Sequence, residues 1–208
     1  HWWDEHTWNF MIKLPTSLLK LIDSFKKLPG VGSKTAERLS HFVLENNSSY
    51  SEDFAQNLLD INKEIIICDI CFFLVEKNKD CICKNSIDKT IICVVQKPKD
   101  VIAFDRTGYK GMYHVIGGVL SPLDQIGPED LNINEFMLRI GDNINEIILA
   151  MDTSLEGDAT SVYIANLLEN HNPKIKISRL ARGIPVGGQF DYIDDMTLIK
   201  AFDERTEL

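Results

Sequence analysis

Apolar residues recur at helical spacing near the start of the chain: Leu14, Leu18, Leu21, Ile22 and Phe25. Such a stripe predicts an amphipathic helix. Pro29 closes it. Gly30 and Gly32 admit backbone conformations that other residues avoid. Ser33 is then placed to cap a second helix carrying Ala36, Leu39, His41, Phe42 and Val43. Asn46–Ser51 is polar and reads as a turn. Between Glu52 and Ile67, Phe54, Leu58, Leu59, Ile61 and Ile65 give a third helical stripe. Beyond Thr90 the period changes. Thr90–Val95 is a run of apolar, β-branched residues, the pattern of a strand buried on both faces. Val101–Phe104 falls on a short helix, Met112–Ile116 on a strand closed by Gly117 and Gly118, and Glu146–Met151 on a second buried strand. A helix over Ala159–Leu168 and a strand over Lys174–Leu180 follow. Strands alternating with helices predict a mainly parallel sheet with helices on both faces. Cys93 sits inside the first of these strands as a small buried hydrophobe. His114 and His171 have no partner motif and read as ordinary strand and loop residues.

Charge sharpens the first segment. The chain carries a net charge of −9, which excludes a protein that coats nucleic acid over its whole surface. Between Ile12 and Tyr50, however, six basic residues (Lys13, Lys20, Lys26, Lys27, Lys34, Arg38) face three acidic ones (Asp23, Glu37, Glu45). Lys34 and Arg38 are four apart and share one face of the second helix. The start of that helix leaves N–H groups without acceptors, which suits an anion. A phosphate is therefore expected on the Gly30–Gly32 turn, beside Lys34 and Arg38. The turn resembles the helix-hairpin-helix by which DNA-binding proteins grip a backbone without reading sequence. No run of about 18 apolar residues exists, so no membrane span is expected. No secretory signal is recognisable, and the cytoplasm is the expected compartment. Residues 1–11 contain all three Trp and no periodic pattern. Residues 1–10 read as a non-native leader ahead of Met11 as the natural start, or else as a short ordered extension that packs its Trp side chains.

Cysteines supply the next chemistry. Cys68 and Cys71 are separated by two residues, Cys81 and Cys83 by one. In a cytosolic chain such a cluster means metal rather than disulfide. Four thiolates around one tetrahedral zinc would fold a short segment that has little core of its own. Cys68, Cys71 and Cys83 are the expected ligands, and the fourth is Cys81 or Asp80. Asp80 enters because Cys-x-Cys is less suited than Cys-x-x-Cys to chelating one ion. Four protein ligands leave no open position, so the site is structural.

Acidic residues follow the two buried strands: Asp100 after Gln96, and Asp152, Glu156 and Asp158 after Ala150. Ends of parallel strands are where sites form. This pair of segments resembles the Toprim fold, in which a Glu after the first strand and an Asp-x-Asp pair hold magnesium and handle a phosphoryl group. Gln96 stands where the Glu belongs and Ser154 where the second Asp belongs. Gln is neither a general acid nor a base. At most a weak magnesium site, or a partner site, is expected at Asp100, Asp152 and Glu156.

The order of parts, with the runs Leu28–Gly32, Tyr113–Gly118, Leu120–Asp124, Ile126–Leu131 and Ala181–Gly188 followed by Tyr192 and Asp194–Leu198, resembles the bacterial recombination mediator family RecR. The cysteine spacing departs from that family's usual two Cys-x-x-Cys pairs. The resemblance implies an α/β chain in several parts: a helix-hairpin-helix region over 12–67, a zinc motif over 68–89, a Toprim-like mainly parallel sheet over 90–181, and a Gly-rich loop with a helical tail over 182–208. It implies no catalysis. It implies a homotetrameric ring on double- and single-stranded DNA, held by Gly30, Gly32, Lys34 and Arg38, acting with RecO and RecF to load RecA during recombinational repair at the nucleoid. A magnesium-dependent Toprim nuclease or primase-like enzyme is the competing expectation. Arg182–Gly188 lacks the Lys-Ser/Thr ending of a phosphate-binding loop and reads as a structural turn.

Overall fold

The computed structural model describes residues 14–205, so the leader expected over residues 1–11 lies outside the described residues. The chain divides into two compact units at Lys63/Glu64. In the first, α1 (Thr16–Lys26) and α2 (Ser33–Glu45) pack through Leu18, Ile22 and Ala36, with Phe25 and Val31 against them. α3 (Ser48–Glu64) follows. It starts earlier than expected because Asn47 accepts the Tyr50 N–H at 2.9 Å, converting the polar turn into a helix start. It also stops earlier: Ile65–Ile67 leaves the helix and becomes a strand. Three consecutive isoleucines fit an extended backbone better than a helix.

The second unit begins with that strand. β1 (Ile65–Ile67) pairs antiparallel with β2 (Leu74–Glu76), and a four-residue helix α4 (Ile82–Asn85) follows. Then come β3 (Ile91–Val95), α5 (Pro98–Asp105), β4 (Met112–Val115), α6 (Ile133–Leu138), β5 (Glu146–Ala150), α7 (Leu155–His171), β6 (Lys176–Arg179) and α8 (Asp195–Asp203). The four strands after the hairpin form one parallel sheet in the order β4-β3-β5-β6. Period-two alternation sorts its side chains. Ile92, Val94, Ile147 and Leu149 face a core with Phe136, Ile164 and Leu168. Cys93, Val95 and Ala150 face the other side with Val101, Phe72 and Phe73. Cys93 is thus the small buried hydrophobe expected of it. The fold is mixed α/β.

α7 begins four residues before the position expected from apolar spacing. Ser154 caps it, its Oγ accepting the Gly157 N–H at 3.0 Å. Gly157 is needed there. A Cβ on it would lie 2.2 Å from the Asp152 carbonyl oxygen. Backbone cannot swing aside as a side-chain tip can. Gly157→Ala is therefore expected to destabilise the chain by about 1–3 kcal/mol from overpacking, more than the roughly 1 kcal/mol that alanine gains in a helix. The urea unfolding midpoint checks this; an unchanged or raised midpoint would show that the close approach is not maintained in solution.

Candidate nucleic-acid and metal sites

At the hairpin between α1 and α2, the Val31 N–H bonds to the Leu28 carbonyl at 3.1 Å, and Gly30 takes φ +78°. Pro29 at the second position and a left-handed Gly at the third make a type II turn. Gly32 caps α2, so Ser33 is the first helical residue rather than its cap, and Ala36 is the first to bond back, to the Gly32 carbonyl at 2.9 Å. The N–H groups of Ser33, Lys34 and Thr35 have no acceptor within the helix. Lys34 and Arg38 are both exposed, and neither forms an ion pair among the described residues. The positive end of the helix and the two cations stand together.

The four cysteines converge. Their Sγ atoms all lie within 4.8 Å of one another, with Cys68 to Cys83 at 3.7 Å and Cys71 to Cys81 at 3.2 Å. Tetrahedral zinc with bonds of about 2.3 Å separates its sulfurs by about 3.8 Å, so the cage has the right size. The uneven spacing is absorbed by secondary structure. Cys81 is the extended residue before α4 and Cys83 lies in its first turn, and this bend brings both sulfurs to one side. In the first pair Phe72 takes φ +60° and its N–H bonds to the Cys68 carbonyl at 2.9 Å. Asp80 is not brought to the cluster; its carboxylate accepts from Lys84 Nζ at 3.1 Å. Burial opposes ionisation at Cys71 and Cys83. It pushes the Cys83 thiol up to about 12 and raises that of Cys71 as well. At Cys68 burial is outweighed by the Cys71 and Ile70 N–H groups and by neighbouring thiols, which hold it at about 7.

The cysteine loop is tied to the exposed edge of β4. The Val115 N–H bonds to the Cys71 carbonyl at 2.8 Å, Arg139 Nη1 donates to the Tyr113 carbonyl at 2.8 Å, and Asn132 Nδ2 donates to the Val115 carbonyl at 3.1 Å. These bonds occupy polar groups that an edge strand would otherwise offer to another chain. His114, fully buried, sits between Phe72 and Phe136. Its Nε2 donates to the Asn132 carbonyl at 2.9 Å and its Nδ1 accepts from Arg139 at 2.9 Å. It is a structural junction rather than an ordinary strand residue. Nothing in its immediate sequence marks it, since its partners lie 18 and 25 positions away.

Burial lowers the His114 pKa from 6.5 to about 4. The unfolded chain therefore binds this proton between those values while the native state does not, so stability falls as pH drops through the window. A gap of that size corresponds to about 3 kcal/mol. His114→Gln is expected to be less stable at pH 7 and to lose this part of the acid slope. Unfolding of both chains across pH 4–7 measures it, and parallel slopes would remove His114 as the cause.

At the ends of β3 and β5, where the strand order reverses, Gln96 and Asp152 meet. Gln96 Nε2 donates to Asp152 Oδ2 at 3.0 Å and its Oε1 accepts the Asp152 N–H at 2.8 Å. Asp100 turns back to accept the Lys97 N–H at 2.8 Å, a helix cap. Asp158 forms a two-pronged ion pair with Arg182. Glu156 lies in the first turn of α7. Three of the four carboxylates thus already have partners, and among the described residues the cysteines are the group whose ligand atoms converge on one point.

A helical hairpin with two exposed cations, a cage of four thiols and a four-stranded parallel sheet make a mixed α/β chain of several parts. Family models match these parts: the RecR helix-hairpin-helix over residues 18–61, the Toprim domain over residues 90–181 and the RecR C-terminal region over residues 183–206. The chain belongs to the RecR family of recombination mediators. No helix among the described residues is long and apolar enough to cross a membrane.

Proposed function

We propose that this chain is a non-catalytic recombination mediator that holds DNA by its phosphate backbone. The observation carrying this reading is the α1–α2 hairpin, where a type II turn at Gly30, the capping Gly32, and exposed Lys34 and Arg38 coincide with the RecR helix-hairpin-helix match. Both double- and single-stranded DNA offer the phosphate it fits. Zinc, held by Cys68, Cys71, Cys81 and Cys83, is the structural cofactor in this reading. The family likeness extends it to RecO and RecF as partners, to loading of RecA, and to association with the nucleoid.

Oligomerisation, with a tetrameric ring as the form favoured, is supported by apolar side chains left open on α3 and on the C-terminal segment. α3 exposes Phe54, Leu58, Leu59 and Ile61 and buries none of its residues. The C-terminal segment exposes Phe190, Met196, Ile199 and Phe202. Patches of this kind mark contacts with other chains. An enzymatic Toprim reading finds little support at Gln96, whose amide occupies Asp152. Magnesium at Asp100, Asp152 and Glu156 would be weak.

The test is the solution mass of the full chain with and without a gapped duplex, followed by binding at increasing salt. A discrete multimer of the 23.7 kDa chain that binds DNA, loosens steeply with salt and leaves the DNA uncut in magnesium supports the proposal. A monomer without DNA affinity at low salt overturns it. Cutting that disappears in Asp152→Asn would favour the enzyme.

A further inference from the structure

On the strand edge that seats the cysteine loop lies a cation that meets no carboxylate among the described residues. Arg139, half-buried, follows α6. Its Nη1 donates to the Tyr113 carbonyl and to His114 Nδ1, and its Nη2 faces Met112 Sδ at 4.0 Å. Among the described residues it forms no ion pair. Burial works against its charge, and the groups placed to support it, once ionised, are Cys71, Cys83, Cys68 and Cys81. A guanidinium does not escape by giving up its proton, so a charge taken out of water needs an anion nearby. Four protonated thiols are neutral and do not supply one. Four thiolates around a divalent ion carry a net charge of about −2 by simple valence.

We propose that Arg139 is the positioning residue that supplies the counter-charge of the four-cysteine centre in its metal-loaded form, so that filling the centre and closing the edge of β4 are one coupled event. The inference rests on reading the cysteines as a metal centre. Two links carry the coupling. Arg139 holds the Tyr113 carbonyl and His114, and His114 packs on Phe72 of the cysteine loop. One residue further along β4, the Val115 N–H holds the Cys71 carbonyl. Loading the cage supplies the nearby anion that Arg139 otherwise lacks, and Arg139 in turn fixes the strand on which the loop is seated.

The experiment compares the full-length wild type with Arg139→Gln and Arg139→Lys. Each is loaded with Co²⁺ or Zn²⁺ and titrated with a competing chelator, and thermal unfolding is followed with and without metal. Arg139→Gln is expected to lower metal affinity by roughly 10–100-fold, the range for partners of metal ligands. Arg139→Lys, which keeps the charge but not the planar fork, should recover most of that loss. The drop in unfolding temperature for Arg139→Gln should be much smaller without metal than with it. Equal drops in both states, or affinity within twofold of the wild type, would reduce Arg139 to an ordinary hydrogen-bond donor and overturn the inference. If Arg139→Gln does not fold, Arg139→Lys decides. Affinity near that of the wild type supports the counter-charge, and a tenfold loss overturns it. A wild type that takes up no cobalt and shows no thiolate-to-metal absorption fails at the earlier step, the metal centre itself, and removes this inference with it.

Discussion

Cys71→Ser is expected to release the metal and melt the segment from β1 to α4. Cys71 is fully buried, its sulfur lies 3.2 Å from that of Cys81, and its carbonyl holds the Val115 N–H of the sheet edge. The segment has little else to fold around. Its strands are three residues each, and Ile66, Ile67 and Leu74 are exposed. In zinc-finger peptides metal binding supplies about 10–16 kcal/mol, as much as the whole stability of a typical domain, about 5–15 kcal/mol. Loss of one of four ligands should therefore cost several kcal/mol and uncover the edge of β4, with aggregation as the visible consequence. Metal content per chain by elemental analysis, together with amide exchange over residues 64–90, measures the outcome. Asp80→Ala should leave both unchanged, because Asp80 faces Lys84 and not the cage. A wild type that purifies without bound metal and melts at the temperature of Cys71→Ser would end this account of the segment. The centre should also empty in acid. Ligation needs thiolates, and burial raises the Cys71 and Cys83 thiols, so protons compete with the metal more strongly as pH falls.

The second large effect is expected at the hairpin. Replacing both Lys34 and Arg38 with Glu would convert the two proposed phosphate partners into two repulsions beside the start of α2. Each phosphate contact contributes a slope of about −0.9 to the logarithmic salt dependence of duplex binding. The double variant should therefore bind DNA on the order of 100-fold more weakly at low salt and lose about two units of slope for each engaged subunit. The loss should be uniform across sequences, since backbone contacts carry no base information. Affinity by fluorescence anisotropy at several salt concentrations checks it. Unchanged affinity would move the DNA contact elsewhere on the chain.

Much of this site was legible in the sequence, and the reason is locality. The turn needs Pro and Gly in adjacent positions, and Gly30 does take the left-handed conformation. Lys34 and Arg38 lie on one face because four residues make about one turn of helix. The sheet is announced by apolar runs such as Ile91–Val95, and its parallel pairing follows from the helices between the strands. Pattern and structure part where local signals tie. Ile65 continued a helical stripe, yet Ile65–Ile67 pairs with Leu74–Glu76, and only the presence of a partner strand decides such a case. Apolar spacing places the start of α7 late because its first turn is polar, although Ser154 stands in place to cap it.

The sequence by itself determined the turn chemistry, the helical and strand periods, the basic face of α2 and the grouping of thiols, since each depends on residues within a few positions of one another. Tertiary structure alone decided that Cys81 joins the cage and Asp80 does not. It also decided that Gln96 occupies Asp152, and that His114 and Arg139 fasten the cysteine loop to β4. Those contacts join segments brought together by closure of the chain. Their identity is fixed by register and by the direction each side chain takes from its backbone, quantities that no short window of residues contains.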